Sequence, residues 1–360
     1  MTILTINTIL SALLPLLLFA LMLNPLKVLA VKIRLVDTPN DRKLHKGSIP
    51  LIGGILIFIS ILITNLLLNT INNDLSWFLN YFVAGGLLLF IGVIDDRLDV
   101  RATVKLLIQL VLAAFAFYNG VRVESLNGVF GIYELPVIAQ FFITVLGITG
   151  FINAFNLLDG VDGLASAYAF LTFAVFLILN SWIGNYHEAL LHISICSALL
   201  IFLKFNLGSR IRKIFLGDAG SLFLGFSIVI SGIQLMCNDS VATNSFNFSL
   251  VLCLLLVPLL DSIRVYLYRI NRGRSPFKAD RTHVHHLLVE AGVKPSHATI
   301  IIISYVLFMI IVSFLLVNFL NINLLLITFT LLFLMLIGFL NFNLKISTWQ
   351  MHLRKIEKED

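Results

Sequence analysis

The chain has 360 residues, 59% of them apolar and only 12% charged, and it carries a formal charge of +6. A soluble domain is about half apolar and about a quarter charged, so this composition excludes a chain whose main solvent is water. In a membrane protein, excess Lys and Arg mark loops retained in the cytoplasm rather than a nucleic-acid surface, and no nucleic-acid partner is expected.

In chain order, apolar runs close to the roughly 20 residues that span a bilayer core predict helices at about 8–30, 51–70, 78–94, 104–119, 136–153, 163–182, 188–205, 219–237, 247–268, 298–318 and 322–343. Runs of this length mark helices rather than barrel strands, because a helix satisfies its own backbone in lipid. The expected fold class is all-α: a polytopic integral membrane protein of about eleven transmembrane helices. The first run has no Lys or Arg ahead of Lys27 and no fitting cleavage pattern, so it reads as a retained helix, not a signal peptide. Cys196, Cys237 and Cys253 fall in apolar runs without metal spacing and say nothing of redox compartment. The runs make one transmembrane domain, 1–345, followed by a short charged tail at 346–360.

The connecting segments divide into two sets. Segments 31–50, 95–103, 154–162, 206–218, 269–297 and the tail, with the helix ends beside them, hold 24 of the 25 Lys and Arg; the other set holds only Arg122. The positive-inside rule makes the first set cytoplasmic, with the N-terminus periplasmic and the C-terminus cytoplasmic. The outer segment 120–135 contains Asn127-Gly128 and is expected to form a short hairpin.

Asp, Asn and His gather in the first set, so chemistry is expected at the cytoplasmic face. Asp37 to Gly54 places Lys46 and other basic groups before a glycine pair, and alone it reads as positive-inside anchoring. Asp95, Asp96 and Asp99 follow an apolar run. Like charges at ~4 Å cost on the order of 4 kcal/mol at an effective dielectric of 20, so the triplet is either a solvated, helix-capping loop or a place for basic partners or Mg²⁺. Asn153, Asn156 and Asp159 share a helix face, and Gly160, Asp162 and Gly163 then let the chain break and approach a ligand. Asp218, between Gly217 and Gly220, is placed either to cap the next helix or to meet a ligand there. Asp261 and Arg264, three residues apart, are a membrane-depth functional pair or a self-neutralising one. Arg281, His283, His285 and His286 lie among further Arg and Lys; that setting repels a metal and suits phosphate or sugar, and no Cys completes a zinc set.

In this order the stretches DTPNDRKLHKGSIPLIGG, FIGVIDDRLD, INAFNLLDGVDGL, FLGDAGSLFLGF and SPFKADRTHVHH resemble those of the polyprenyl-phosphate N-acetylhexosamine-1-phosphate transferases, over roughly residues 1–345. Within that family the chain is most similar to the WecA type. That type usually reads HIHH where this chain reads HVHH, whereas the branch using UDP-MurNAc-pentapeptide tends to have three consecutive His; Val284 speaks against the latter. The resemblance implies a bacterial inner-membrane enzyme that moves GlcNAc-1-phosphate from UDP-GlcNAc to undecaprenyl phosphate and releases UMP. This would be the first lipid-linked step of O-antigen or a related envelope glycan. A lipid phosphate oxygen would attack the β-phosphorus; the sugar C1–O bond stays intact, so no glycosidase-like carboxylate pair is required.

The resemblance further implies Mg²⁺, replaceable by Mn²⁺, held by Asp218 and Asn156. It makes Asp95, Asp96, Asp159 and His283 catalytic, and Asn153, Asp162, Arg281, His285, His286, Lys46 and Lys105 substrate-binding. The partners are UDP-GlcNAc, undecaprenyl phosphate and membrane lipids, with a homodimer left open. Another UDP-N-acetylhexosamine would need only local changes of the pocket. Of the rival classes, an ion-coupled transporter would carry its charges near the bilayer midplane on broken helices, and a structural assembly protein has no use for Asp, Asn and His on one face.

Overall fold

A computed structural model describes residues 3–38, 47–68, 75–208, 213–237, 244–275 and 282–359. In chain order its elements are α1 (Ile3–Lys32), β1 (Val36–Asp37), β2 (Ile49–Pro50), α2 (Gly53–Leu67), α3 (Leu75–Phe78), α4 (Gly85–Leu98), α5 (Ala102–Tyr118), β3 (Ser125–Val129), β4 (Ile132–Glu134), α6 (Val137–Leu158), α7 (Leu164–Trp182), α8 (Tyr186–Asn206), α9 (Gly217–Met236), α10 (Asn244–Asn271), α11 (Val284–Glu290), α12 (Pro295–Leu316) and α13 (Ile322–Glu359). A wide-turned stretch, Leu79–Ala84, carries α3 into α4 without a break.

The fold is all-α and polytopic, as expected, and among the described residues a helix falls on each of the eleven apolar runs. Among the described residues nine helices are long and apolar enough to cross a membrane. The other two, α2 and α5, have 15 and 17 residues; at about 1.5 Å per residue they fall short of a ~30 Å hydrocarbon core. The expected runs at 136–153 and 188–205 lengthen to 22 and 21 residues, because the polar residues Asn156 in the first and His187 and Asn206 in the second continue the helix.

Helix α9 is the axis of the bundle, with 89% of its spanning window buried, against 22% for α1 and 22% for α13. It packs on α2, α4, α6, α7 and α10. With no hydrophobic force between helices in lipid, close packing of small residues carries the association. A Cβ on Gly54 would lie 2.2 Å from Gly220 Cα, and one on Gly92 would lie 2.3 Å from Ala219 Cα. Both α2 and α4 therefore meet α9 backbone to backbone. Overpacking costs about 1–3 kcal/mol or more. Gly92→Leu should thus lower the thermal midpoint in detergent or nanodiscs, while Gly147→Leu, with nothing within 4 Å of its Cβ, should leave it unchanged; equal midpoints would refute backbone contact at Gly92.

Described parts of the basic segments meet at one end of the bundle. There β1 pairs with β2 antiparallel, Val36 opposite Pro50. Phe215 N–H donates to Pro50 O at 2.9 Å, Gly53 N–H to Phe215 O at 2.9 Å and Gly54 N–H to Leu216 O at 3.1 Å. The start of α2 is thereby stitched to the start of α9. At the other end β3 and β4 form the expected hairpin, with Asn127 and Gly128 at φ 48° and 87°. Asn323 on α13 clasps it, accepting from Phe130 N–H at 2.8 Å and donating to Gly128 O at 3.0 Å. Toward that end a membrane-depth carboxylate, Glu188, accepts from Trp77 Nε1 at 2.8 Å and from Tyr81 OH at 3.2 Å, while Tyr81 reaches Ser231 on α9 at 2.8 Å. This network ties three parts of the bundle together far from the acidic segments.

Candidate active site

The acidic triplet ends α4. The helix stops after Leu98 because Asp99 turns left-handed, φ 52°, which leaves Asp95 and Asp96 on the last turn, pointing to different neighbours. Asp95 Oδ2 takes Lys105 Nζ at 2.5 Å from the first turns of α5, and its Oδ1 accepts from Val100 N–H at 2.8 Å. Asp96 crosses to α9 instead, where its oxygens accept from the Asp218 N–H at 2.8 Å and the Ala219 N–H at 3.3 Å. A foreign carboxylate thus satisfies the orphan amides at this helix start and suits its positive end. Gly217, at φ 74°, makes room: a Cβ there would lie 2.5 Å from Asp96 Oδ2.

Because Asp96 takes the first amides of α9, the Asp218 side chain does not cap that helix. That side chain is 37% exposed. Oδ1 accepts from Asn156 Nδ2 at 3.0 Å, and Oδ2 lies 3.5 Å from Lys105 Nζ. Lys105 therefore stands between Asp95 and Asp218. Asn156 also donates to Ser221 Oγ at 2.7 Å. Asn153 shares the helix but not the site: its amide donates to Gln109 Oε1 on α5 at 2.6 Å and to Thr149 O at 2.8 Å.

Past α6 the chain breaks through Asp159 to Gly163, which is left-handed at φ 78° and opens α7. Burial, and then the charges of Asp218, Asp96 and Asp162, hold the Asp159 carboxyl well above the usual carboxylate range. Four carboxylates thus crowd one another. Asp162 Oδ2 takes Lys213 Nζ at 2.5 Å, and its carbonyl accepts from Thr299 Oγ1 of α12 at 3.0 Å. Lys213 was not singled out in the sequence, where it was one of several basic residues in an anchoring segment.

The histidine segment folds back over this break. Gly160 lies under His285, whose Nε2 would be 2.3 Å from a Cβ at that position. Burial, and the nearby His286 and His283, push the His285 imidazole down to about 3, so it is neutral at physiological pH. His285 and His286 rings stand 4.1 Å apart. His283 Nδ1 lies 2.8 Å from Asp261 Oδ2. Lys46 and Arg281 lie outside the described residues.

This end of the bundle therefore joins Asp95, Asp96, Lys105, Asn156, Asp159, Asp162, Lys213 and Asp218, with His285 against Gly160. Among the described residues no three His, Cys, Asp or Glu are already grouped as a metal cage. The oxygen set of Asp218, Asn156 and the crowded carboxylates nevertheless suits Mg²⁺, which takes one or two carboxylates and completes its shell with water and substrate phosphate.

The family model described as "Glycosyl transferase family 4" matches residues 78–236. The undecaprenyl-phosphate alpha-N-acetylglucosaminyl 1-phosphate transferase of Yersinia pestis is 34% identical over 278 residues, 76% of this chain and 74% of the relative. The chain belongs to this family. The Escherichia coli K12 protein of the same name is 33% identical over 281 residues, 76% of this chain and 74% of its own length. The resemblance read from the five motifs is thereby borne out. The stretch matched by the family model contains Asp95, Asp96, Lys105, Asn153, Asn156, Asp159, Asp162, Lys213 and Asp218. It ends before the histidine segment, which His285 joins to the chain break at Gly160.

Proposed function

We propose that this chain transfers GlcNAc-1-phosphate from UDP-GlcNAc to undecaprenyl phosphate, releasing UMP, at the cytoplasmic face of a bacterial inner membrane. The observation that carries this is Lys105 held between Asp95 and Asp218, with Asp96 on the Asp218 amide and Asp159 feeling the charges of Asp218 and Asp96. The step is phosphoryl transfer: an acceptor oxygen forms a bond to the β-phosphorus as the bond from that phosphorus to the UMP oxygen breaks. Two anions must meet, so catalysis rests on positioning and charge. A phosphate monoester with a second pKa near ~6 is largely dianionic at neutral pH, and no strong base is required.

Each group then has a task. Asp218 and the carbonyl oxygen of Asn156 are the ligands for Mg²⁺, with Mn²⁺ an acceptable replacement for an oxygen set. When bound, the ion supplies positive charge against the donor phosphates. Asp96 fixes the backbone of Asp218 through its amide. Asp95 aims the Lys105 ammonium, a compact point charge for a phosphate oxygen. Asp159, its carboxyl held well above the usual range beside Asp218 and Asp96, holds a proton at the reacting centre, and Asp162 faces the substrate with Lys213 on it. His283, His285, His286 and the sequence-assigned Arg281 and Lys46 receive the sugar–phosphate end, His285 also packing on Gly160. Asn153 acts from behind, steadying α6 on α5.

The test is UMP release by the detergent-purified chain given UDP-GlcNAc, polyprenyl phosphate and Mg²⁺. No Mg²⁺-dependent UMP would remove the enzyme reading and favour transport. A panel of UDP-N-acetylhexosamines in competition should show GlcNAc preferred; another winner would change the substrate and leave the chemistry. The O-antigen or related glycan role follows from the product, a lipid-linked sugar pyrophosphate.

A further inference from the structure

Asp261 lies on α10, outside the acidic cleft, and is 5% exposed. Its Oδ1 takes Arg264 at 2.7 Å, while the Val284 N–H lies 3.3 and 3.4 Å from the two oxygens. Its Oδ2 is 2.8 Å from His283 Nδ1. Arg264 also donates to the Thr282 carbonyl, at 2.5 Å. An ionised carboxylate can only accept, and with a guanidinium, an amide and an imidazole all turned toward it Asp261 is ionised. His283 Nδ1 must therefore carry a proton. The ring plane and tautomer are then fixed, and Nε2 is the nitrogen left for other work.

That atom is buried and has no partner among the described residues, as are both ring nitrogens of His285. The His285 ring lies 5.9 Å from His283 and parallel to it within 5°. A buried polar atom left unpaired destabilises the fold. Three such atoms side by side against the acidic break are what a site looks like when its ligand supplies the missing bonds. The loop could instead be stapled by Asp261 for folding alone, since Thr282, Val284 and His283 all hang on this one carboxylate and its arginine.

The geometry points to Asp261 as a positioning residue that acts through His283: it holds the Nδ1–H tautomer so that Nε2 meets the sugar–phosphate end of the donor. The inference rests on the proposed reaction for its substrate, but the contact itself is testable without turnover. The full chain, labelled with ¹⁵N-histidine and reconstituted in bilayers, should give a hydrogen-bonded Nδ1–H signal that disappears in His283→Gln and shifts to the other tautomer in Asp261→Asn. Absence of that signal in the native protein overturns the proposal whatever the enzyme does. In the kinetic arm, misplacing a reacting group costs about 100-fold. Asp261→Asn should lower kcat for UMP release by about that factor in the native background, and by less than about 3-fold when His283 is already Ala. Equal losses in both backgrounds would make Asp261 a structural staple only and overturn the proposal. A native protein that shows the Nδ1–H signal yet releases no UMP would instead refute the reaction and leave the dyad standing.

Discussion

Asp218→Asn is expected to reduce Mg²⁺-dependent UMP release by about 1000-fold, the scale of losing one aimed charge-stabilising group, while the protein still inserts and purifies as a single species. The substitution keeps shape and removes charge. Asn156 Nδ2 keeps a carbonyl acceptor where Oδ1 stood at 3.0 Å, and α9 keeps its start because Asp96, not Asp218, caps it. What is lost is the negative oxygen that would hold a hard cation and the one that stands 3.5 Å from Lys105. A second readout is independent of turnover. A ligand that binds the folded state stabilises it by about 2.7 kcal/mol at 100 times its Kd, so Mg²⁺ should raise the thermal midpoint of the native protein and barely move that of the variant. Unchanged Mg²⁺ dependence in both assays would remove Asp218 from the cation site.

How far the site was legible follows from where each partner sits in the chain. The spans were readable because lipid demands long apolar helices, and the residues at their polar ends stood out against that background. Asp95, Asp96, Asn156, Asp159 and Asp218 were therefore visible as candidates, but their division of labour was not. Nothing local to Asp96 shows that it caps a helix 122 residues away. Helical spacing put Asn153 and Asn156 on one face, yet α6 is wedged between two neighbours, so one amide turns to Gln109 on α5 and the other to Asp218 on α9. Lys213 was hidden because every basic residue of such a segment has a ready explanation in membrane orientation; only the fold brings it to Asp162, 51 positions earlier. The Asp261–Arg264 pair was readable at i, i+3, while its third member, His283, lies 22 positions on, across a segment whose path sequence spacing does not give. The glycine pair Gly53-Gly54 looked like punctuation after an anchor. It is the place where α2 lies on the backbone of α9.

Asp159→Asn should move stability and activity in opposite directions. The folded protein holds the Asp159 carboxyl well above its usual range, through burial and then through Asp218, Asp96 and Asp162. The folded state thus binds this proton more tightly than the unfolded chain does, and ionising it works against the fold. That cost is absent below the ordinary carboxylate range, grows as pH rises through the window between the ordinary and the raised value, and levels off above it. An amide cannot ionise, so the variant should lack this slope. At pH 8 its midpoint should lie about 2–4 °C above that of the native protein, the shift that ~1 kcal/mol produces in a domain of a few hundred residues, and the two should converge near pH 4. Added Mg²⁺ should narrow the gap at pH 8 by relieving the same repulsion in the native protein. Turnover should fall by about 100-fold, the lower end for a group that moves or holds a proton at a reacting centre. A variant less stable than the native protein at pH 8 would show that Asp159 is a structural residue of the chain break. Retained turnover would separate it from the reaction. Opposite signs in the two measurements are what crowded carboxylates give when their repulsion costs stability and their charge or proton serves the proposed reaction.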